Sequence, residues 1–133
     1  MKIRHLLVIV PLILGCQDET GPTNPQIVGT WSWIESRGGF VGDHITPQSG
    51  GYTKKVRFTL SGAYLRYRND AVERQARYRM EQKKIGEWGS FDVLKVDGER
   101  TESIVSFRTR DTLKLSEYCA DCYEHTFVRI GED

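Results

Sequence analysis

Residues 56–67 read VRFTLSGAYLRY. Two short alternating runs flank Ser61-Gly62, and alternation with a period of two is the signature of a half-buried strand. Glycine accepts positive φ, so Ser61-Gly62 reads as a two-residue hairpin turn. That turn sets Leu60 opposite Ala63, Phe58 opposite Leu65 and Val56 opposite Tyr67, all on one face. On the other face it sets Thr59 opposite Tyr64, Arg57 opposite Arg66 and Lys55 opposite Arg68.

Outward from this hairpin the chain continues in the same style. Runs rich in Val, Ile, Phe, Tyr, Thr and Trp recur at 28–35, 52–60, 63–68, 75–82, 90–96, 102–109, 112–117 and 124–130, cut by Gly, Asp and Ser. No long helical period competes with them. Eight short strands with mostly short links predict an all-β fold, an eight-stranded antiparallel up-and-down barrel, because closure removes exposed sheet edges.

Charge is unevenly spread. Residues 54–84 hold ten basic side chains against three acidic ones, while the chain as a whole carries a formal charge of +1. The hairpin register, extended to Ala76, Tyr78 and Met80 pointing in, gathers Lys55, Arg57, Arg66, Arg68, Arg77 and Arg79 on the outer face. Two readings stay open for this stripe. It is a solvated surface, or it is an anion-binding face for phosphate-bearing head groups, to which each cation contributes about 1 kcal/mol. A near-zero net charge argues against nucleic acid as a partner.

VGTWSW opens the first strand, and TFVRI lies in the last. Gly29-Thr30-Trp31 with a late arginine resembles the G-x-W motif of the lipocalins, in the form of the small lipocalin-like domains of bacterial lipoproteins. The resemblance implies that Trp31 lies at the closed end of the barrel with Arg129 across its ring, a contact of about 0.5–2 kcal/mol. It implies too that the longest link, 37–51, covers the open mouth. Trp33 shares the face of Trp31. A pocket lined by Trp33, Phe58, Leu65, Tyr67, Tyr78, Phe107 and Leu115 then holds an apolar or amphipathic ligand, or else these side chains simply fill the barrel.

The N-terminal segment has a separate logic. Lys2 and Arg4 precede an apolar run from Leu6 to Leu14, followed by Gly15 and Cys16. This is the layout of a secretory signal, and the run is too short to span a bilayer. With Cys16 after Gly15 it resembles a bacterial lipoprotein signal and lipobox. That implies acyl chains such as palmitate on Cys16, a membrane partner through them, and a place in the bacterial cell envelope, at the outer membrane by the absence of Asp after the cysteine. Residues 17–26, QDETGPTNPQ, are polar and contain two prolines, the composition of a tether. The expected organisation is a signal at 1–15, a tether at 16–27 and a barrel domain at 28–131.

Cys119 and Cys122 remain, between the last two strands, and in an oxidising compartment an even pair reads as a disulfide. A zinc site built on them needs His125 and a fourth ligand from His44 or a carboxylate. No G-x-S-x-G elbow and no phosphate loop occur, and Glu35 has no acid–base partner in view. The chain therefore reads as a non-catalytic protein without cofactor or metal. The expected role is binding of a small apolar or amphipathic ligand. The alternative is a filled barrel that contacts anionic envelope components, or a protein, through its basic face.

Overall fold

A computed structural model describes residues 24–132. The signal, Cys16 and most of the tether lie outside the described residues. Nine strands follow a short 3₁₀ turn at Pro25–Ile27: β1 (Gly29–Gly38), β2 (Asp43–Ile45), β3 (Lys54–Phe58), β4 (Ala63–Arg68), β5 (Ala71–Lys84), β6 (Ser90–Val96), β7 (Ser103–Thr109), β8 (Thr112–Glu117) and β9 (Tyr123–Gly131). One helical turn, α1 (Pro47–Gly50), sits between β2 and β3.

Each strand pairs antiparallel with the next around the sheet, β1 skipping β2 to meet β3, and β1 closes on β9. The barrel is therefore the closed eight-stranded form expected, with β2 an extra short strand on the upper half of β1. The segment 37–51 is structured where an open link was expected. Ser36↔Ile45 and Arg37↔His44 pair, and Thr46 and Ser49 form a reciprocal capping box around α1.

The described residues start and end at one pole. There the N-terminal turn, the β3–β4 loop, the β5–β6 loop and the β7–β8 turn gather, while the β4–β5, β6–β7 and β8–β9 links lie at the other pole. The core fills the first half: Ile27, Trp31, Phe58 and Leu113 are wholly buried, packed with Tyr78, Met80, Val105 and Phe127. Trp31 meets Phe107 at 6.0 Å and Phe58 meets Tyr78 edge-on at 5.0 Å.

The β3–β4 hairpin departs from its expected register by one residue. Phe58 pairs with Tyr64, Arg57 with Leu65, Val56 with Arg66 and Lys55 with Tyr67. The loop is three residues, Leu60 to Gly62, closed by Thr59 N–H and Gly62 N–H bonds, and Gly62 takes φ +89°. A left-handed glycine ending a three-residue loop is a bulged hairpin, not a two-residue turn. A slip of one residue turns every side chain of the partner strand over. Tyr64 and Arg66 thus enter the barrel, while Leu65 and Tyr67 move to the outer side.

Candidate functional site

The closed pole is built around one stack. The Arg129 guanidinium lies 4.1 Å from the Trp31 ring centre. It donates to Val28 O and Gln26 O at 2.8 Å and to Arg110 O at 3.3 Å, with Asp111 at 3.3 Å. Trp31 Nε1 donates to Ile27 O at 2.8 Å. Gly29 passes beneath at φ +132°, where a Cβ would stand 2.7 Å from Arg129 Nη1 and from Gly131 O. These groups seal the pole.

At the other pole the interior changes character. The inward positions are Lys54 and Val56 on β3, Tyr64 and Arg66 on β4, Leu94 and Val96 on β6, Ser103 on β7, Leu115 and Glu117 on β8, and His125 and Phe127 on β9, with Glu99 and Thr101 from the β6–β7 link. They line a cavity of about 100 Å³. Its floor is apolar and its upper wall is charged.

The charges of that wall are arranged in two groups. Arg66 and Arg74 stand directly opposite on β4 and β5, a repulsive placement that carboxylates relieve. Arg66 donates to Glu73 Oε2 and to Glu99 Oε1, both at 2.8 Å, and Arg74 Nε lies 3.5 Å from the same Glu99 oxygen. Burial, then Glu99, pushes the Tyr64 phenol beside them up to about 12.

The second group depends on a bulge. Trp33 pairs with Phe127 and Glu35 with Thr126, so Ile34 is an extra residue on β1. The bulge turns Glu35 out, where it meets Arg37 and His44, and turns Ser36 in. Trp33 Nε1 donates to Ser36 Oγ at 2.8 Å, and Ser36 Oγ lies 2.6 Å from His125 Nδ1. His125 Nε2 lies 3.2 Å from Glu117 Oε1. The Glu117 carboxylate only accepts, so Nε2 carries the ring proton, and in the neutral imidazole Nδ1 then accepts from the Ser36 hydroxyl. Burial, then the Lys54 charge, holds the imidazole pKa below its ordinary value. Hydroxyl, imidazole and carboxylate stand in the order of a nucleophile relay. Yet Ser36 is 4% exposed, accepts the indole proton and does not line the cavity, so the chain of bonds holds His125 in place.

Lys54 belongs to neither group. Its ammonium lies 5.0 Å from the Trp33 ring centre and 5.8 Å from that of Phe127. Among the described residues it makes no hydrogen bond and no ion pair. Burial, then the neighbouring Arg66 charge, lowers its pKa. Beside it Tyr52 stacks on Trp33 at 5.2 Å and Arg68 covers Tyr52 at 4.1 Å.

The expected pocket residues are thus divided. Trp33 borders the mouth through Lys54, Phe58 and Tyr78 belong to the filled half, and Leu65 and Tyr67 lie outside the barrel. The expected basic stripe is divided as well. Arg66 is internal and Arg68 caps Tyr52. Lys55 pairs with Asp70 at 2.6 Å, Arg79 with Glu81 at 3.2 Å, Arg77 donates to Ser61 O, and Arg57 is exposed. Because the register shifts, Arg57 faces Leu65 and Lys55 faces Tyr67, and the two like-charge oppositions of the two-residue turn give way to one, Lys54 opposite Arg68. Cys119 and Cys122 are joined by a disulfide in the β8–β9 link. Among the described residues no three His, Cys, Asp or Glu side chains gather to hold a metal ion.

Sequence reasoning missed Lys54, Ser36, Glu99 and Glu117 as parts of one site, and read His125 only as a zinc ligand. Lys54 and His125 carried a readable signal: each is in phase with the buried residues of its own strand, Val56 and Phe58 in one case, Phe127 in the other. Ser36 carried none, since a bulge places it.

No protein family, no curated protein and no solved structure matches this chain.

Proposed function

We propose that this chain is a non-catalytic binding protein that holds a small amphipathic molecule in the mouth of its barrel. In this reading it is carried at a cell-envelope membrane by lipid on Cys16, and the resemblance of residues 1–16 to a lipoprotein signal supports that placement. The observation that carries the binding role is the 100 Å³ cavity at the open pole, with an apolar floor and an upper wall of Lys54, Arg66, Glu99, Glu117 and His125. Aromatic packing below that floor leaves no deep calyx, so the ligand is compact, or enters by one end only. The burial of Ser36 away from the cavity supports binding rather than turnover.

Mass spectrometry of the full chain purified under native conditions from its own cells tests the proposal. The expected result is a co-purifying small molecule whose removal shifts the NMR signals of Trp33 and His125. Release of no such molecule, together with no change at those two residues on adding cell extract, would overturn it. Contact with anionic surfaces through the outer basic face has less support, because Lys55 and Arg79 are already paired with carboxylates.

A further inference from the structure

Every carboxylate lining the mouth cavity is already engaged. Glu99 receives Arg66 and Arg74, and Glu117 receives the His125 ring through one oxygen and the Tyr123 backbone N–H through the other, at 3.1 Å. Arg66 is satisfied by Glu73 and Glu99. The His125 imidazole is bonded at both nitrogens. Lys54 is the exception: a cavity-lining ammonium between two aromatic rings, with no acceptor among the described residues.

The rings of Trp33 and Phe127 supply only the weak attraction of their faces, about 0.5–2 kcal/mol. They offer no lone pair to the three N–H donors of a lysine. Glu117 and Glu73 act on the ammonium only through space, which leaves its N–H donors open to an entering anion. A charge-assisted hydrogen bond to a carboxylate is roughly twice as strong as a neutral one. The space limits the rest of the molecule: a cavity of about 100 Å³ lies well below the roughly 300 Å³ at which pockets for drug-sized ligands begin. The floor of Val56, Leu94, Val96, Leu115 and Phe127 suits a short hydrocarbon tail.

We infer that the mouth cavity takes a short-chain carboxylate, of the size of acetate to butyrate, whose anionic group pairs with Lys54 and whose alkyl part rests on the apolar floor. This rests on the binding role proposed above and names its ligand class. The lowered pKa of Lys54 agrees with it, because an entering anion restores the solvation that burial removes from the ammonium. The same pairing is out of reach for a neutral alcohol, and an alkylammonium meets Lys54 and Arg66 as like charges.

The test titrates the full chain with sodium butyrate, n-butanol and n-butylammonium chloride at constant ionic strength. It follows the Lys54 side-chain signals, the Trp33 indole N–H and the His125 ring by NMR. Butyrate is expected to shift all three saturably and to raise the Lys54 pKa, with the two other probes inert. Lys54→Met and Lys54→Gln should each weaken butyrate about tenfold or more, the equivalent of about 1.4 kcal/mol. Lys55→Met, a charge loss on the outer face of the same strand, should leave it unchanged. Two variants of different polarity guard against misfolding, which the unaltered spectrum of the rest of the barrel reports directly. Equal binding of butyrate and butanol, or full retention by both Lys54 variants, overturns the carboxylate assignment while the mouth remains a binding site. Failure of every probe to move any mouth residue overturns the assignment too, and only an empty search for co-purifying molecules would carry that failure to the binding role.

Discussion

The Arg129 guanidinium lies 4.1 Å from the Trp31 ring centre and donates to the backbone carbonyls of Val28, Gln26 and Arg110. It therefore ties the last strand to the segment that enters the first, across the seam where the barrel closes. A planar guanidinium meets several carbonyls and a ring face at once, and an ammonium does not. Arg129→Ala should lower stability by about 2–4 kcal/mol, since it strips the guanidinium donors from a partly buried network of backbone carbonyls. Arg129→Lys should recover less than half of that. Urea unfolding followed by tryptophan fluorescence measures both, and a loss within experimental error for Arg129→Ala would show that the seam does not depend on this stack.

The hairpin register yields a second prediction. Tyr64 is 6% exposed and touches Phe58 at 5.4 Å, while Leu65 pairs with Arg57 on the outer side. Tyr64→Ala should cost about 3–5 kcal/mol, as for other large core truncations. Leu65→Lys should cost about 1 kcal/mol or less, in the range of surface changes. The two-residue turn reverses this order, so the pair of denaturation curves decides the register.

That register also shows how far the sequence could be read. The eight strands of the closed barrel and the inward placing of Trp31, Trp33, Tyr78 and Met80 follow from the run-and-turn patterning, and the structure agrees, adding the short β2. AYLRYR, by contrast, is apolar at Ala63, Leu65 and Tyr67 and aromatic again at Tyr64. Both faces offer something to bury, so patterning alone fixes neither register. The choice falls to the turn, where Gly62 works as the left-handed residue of a three-residue loop. The polar mouth hides for the same reason: a register with Leu65 and Tyr67 inward turns Arg66 outward and dissolves the internal ion network. Ser36 depends on the Ile34 bulge, which no local signal announces.

A third prediction concerns acid. The His125 pKa is held below 6.5 by burial and by Lys54, so the unfolded chain takes up its proton first. Protons bound preferentially by the unfolded state make stability fall as pH falls. The loss should begin near pH 6.5 and end once the folded imidazole itself protonates. His125→Asn should flatten this limb of the stability curve. Ser36→Ala, which leaves the Trp33 indole N–H and His125 Nδ1 without a partner, should cost about 1–3 kcal/mol at pH 7. Thermal unfolding at intervals from pH 5 to 8 tests both, and an unchanged slope in His125→Asn would place the titrating group elsewhere.

Lys54 leads to the last prediction, in which stability and binding pull apart. Its folded pKa is lowered from 10.5 by burial and by Arg66, so its proton is held more weakly in the folded chain than in the unfolded one. The resulting destabilisation is fully present at neutral pH and disappears as pH rises past the unfolded value. Lys54→Met keeps the apolar stem against Trp33 and removes the charge, so it should stabilise the empty protein at pH 7, read as a rise in Tm. The gain should shrink as pH approaches 10.5. A residue that weakens the empty fold is the mark of a group held ready for something else, because stability and a preorganised binding charge compete for the same site. Saturating butyrate should therefore raise the Tm of the unaltered chain by more than it raises that of Lys54→Met. If Lys54→Met instead lowers the Tm without ligand, the contacts with Trp33 and Phe127 outweigh desolvation, and Lys54 is part of the packing rather than an anchor in waiting.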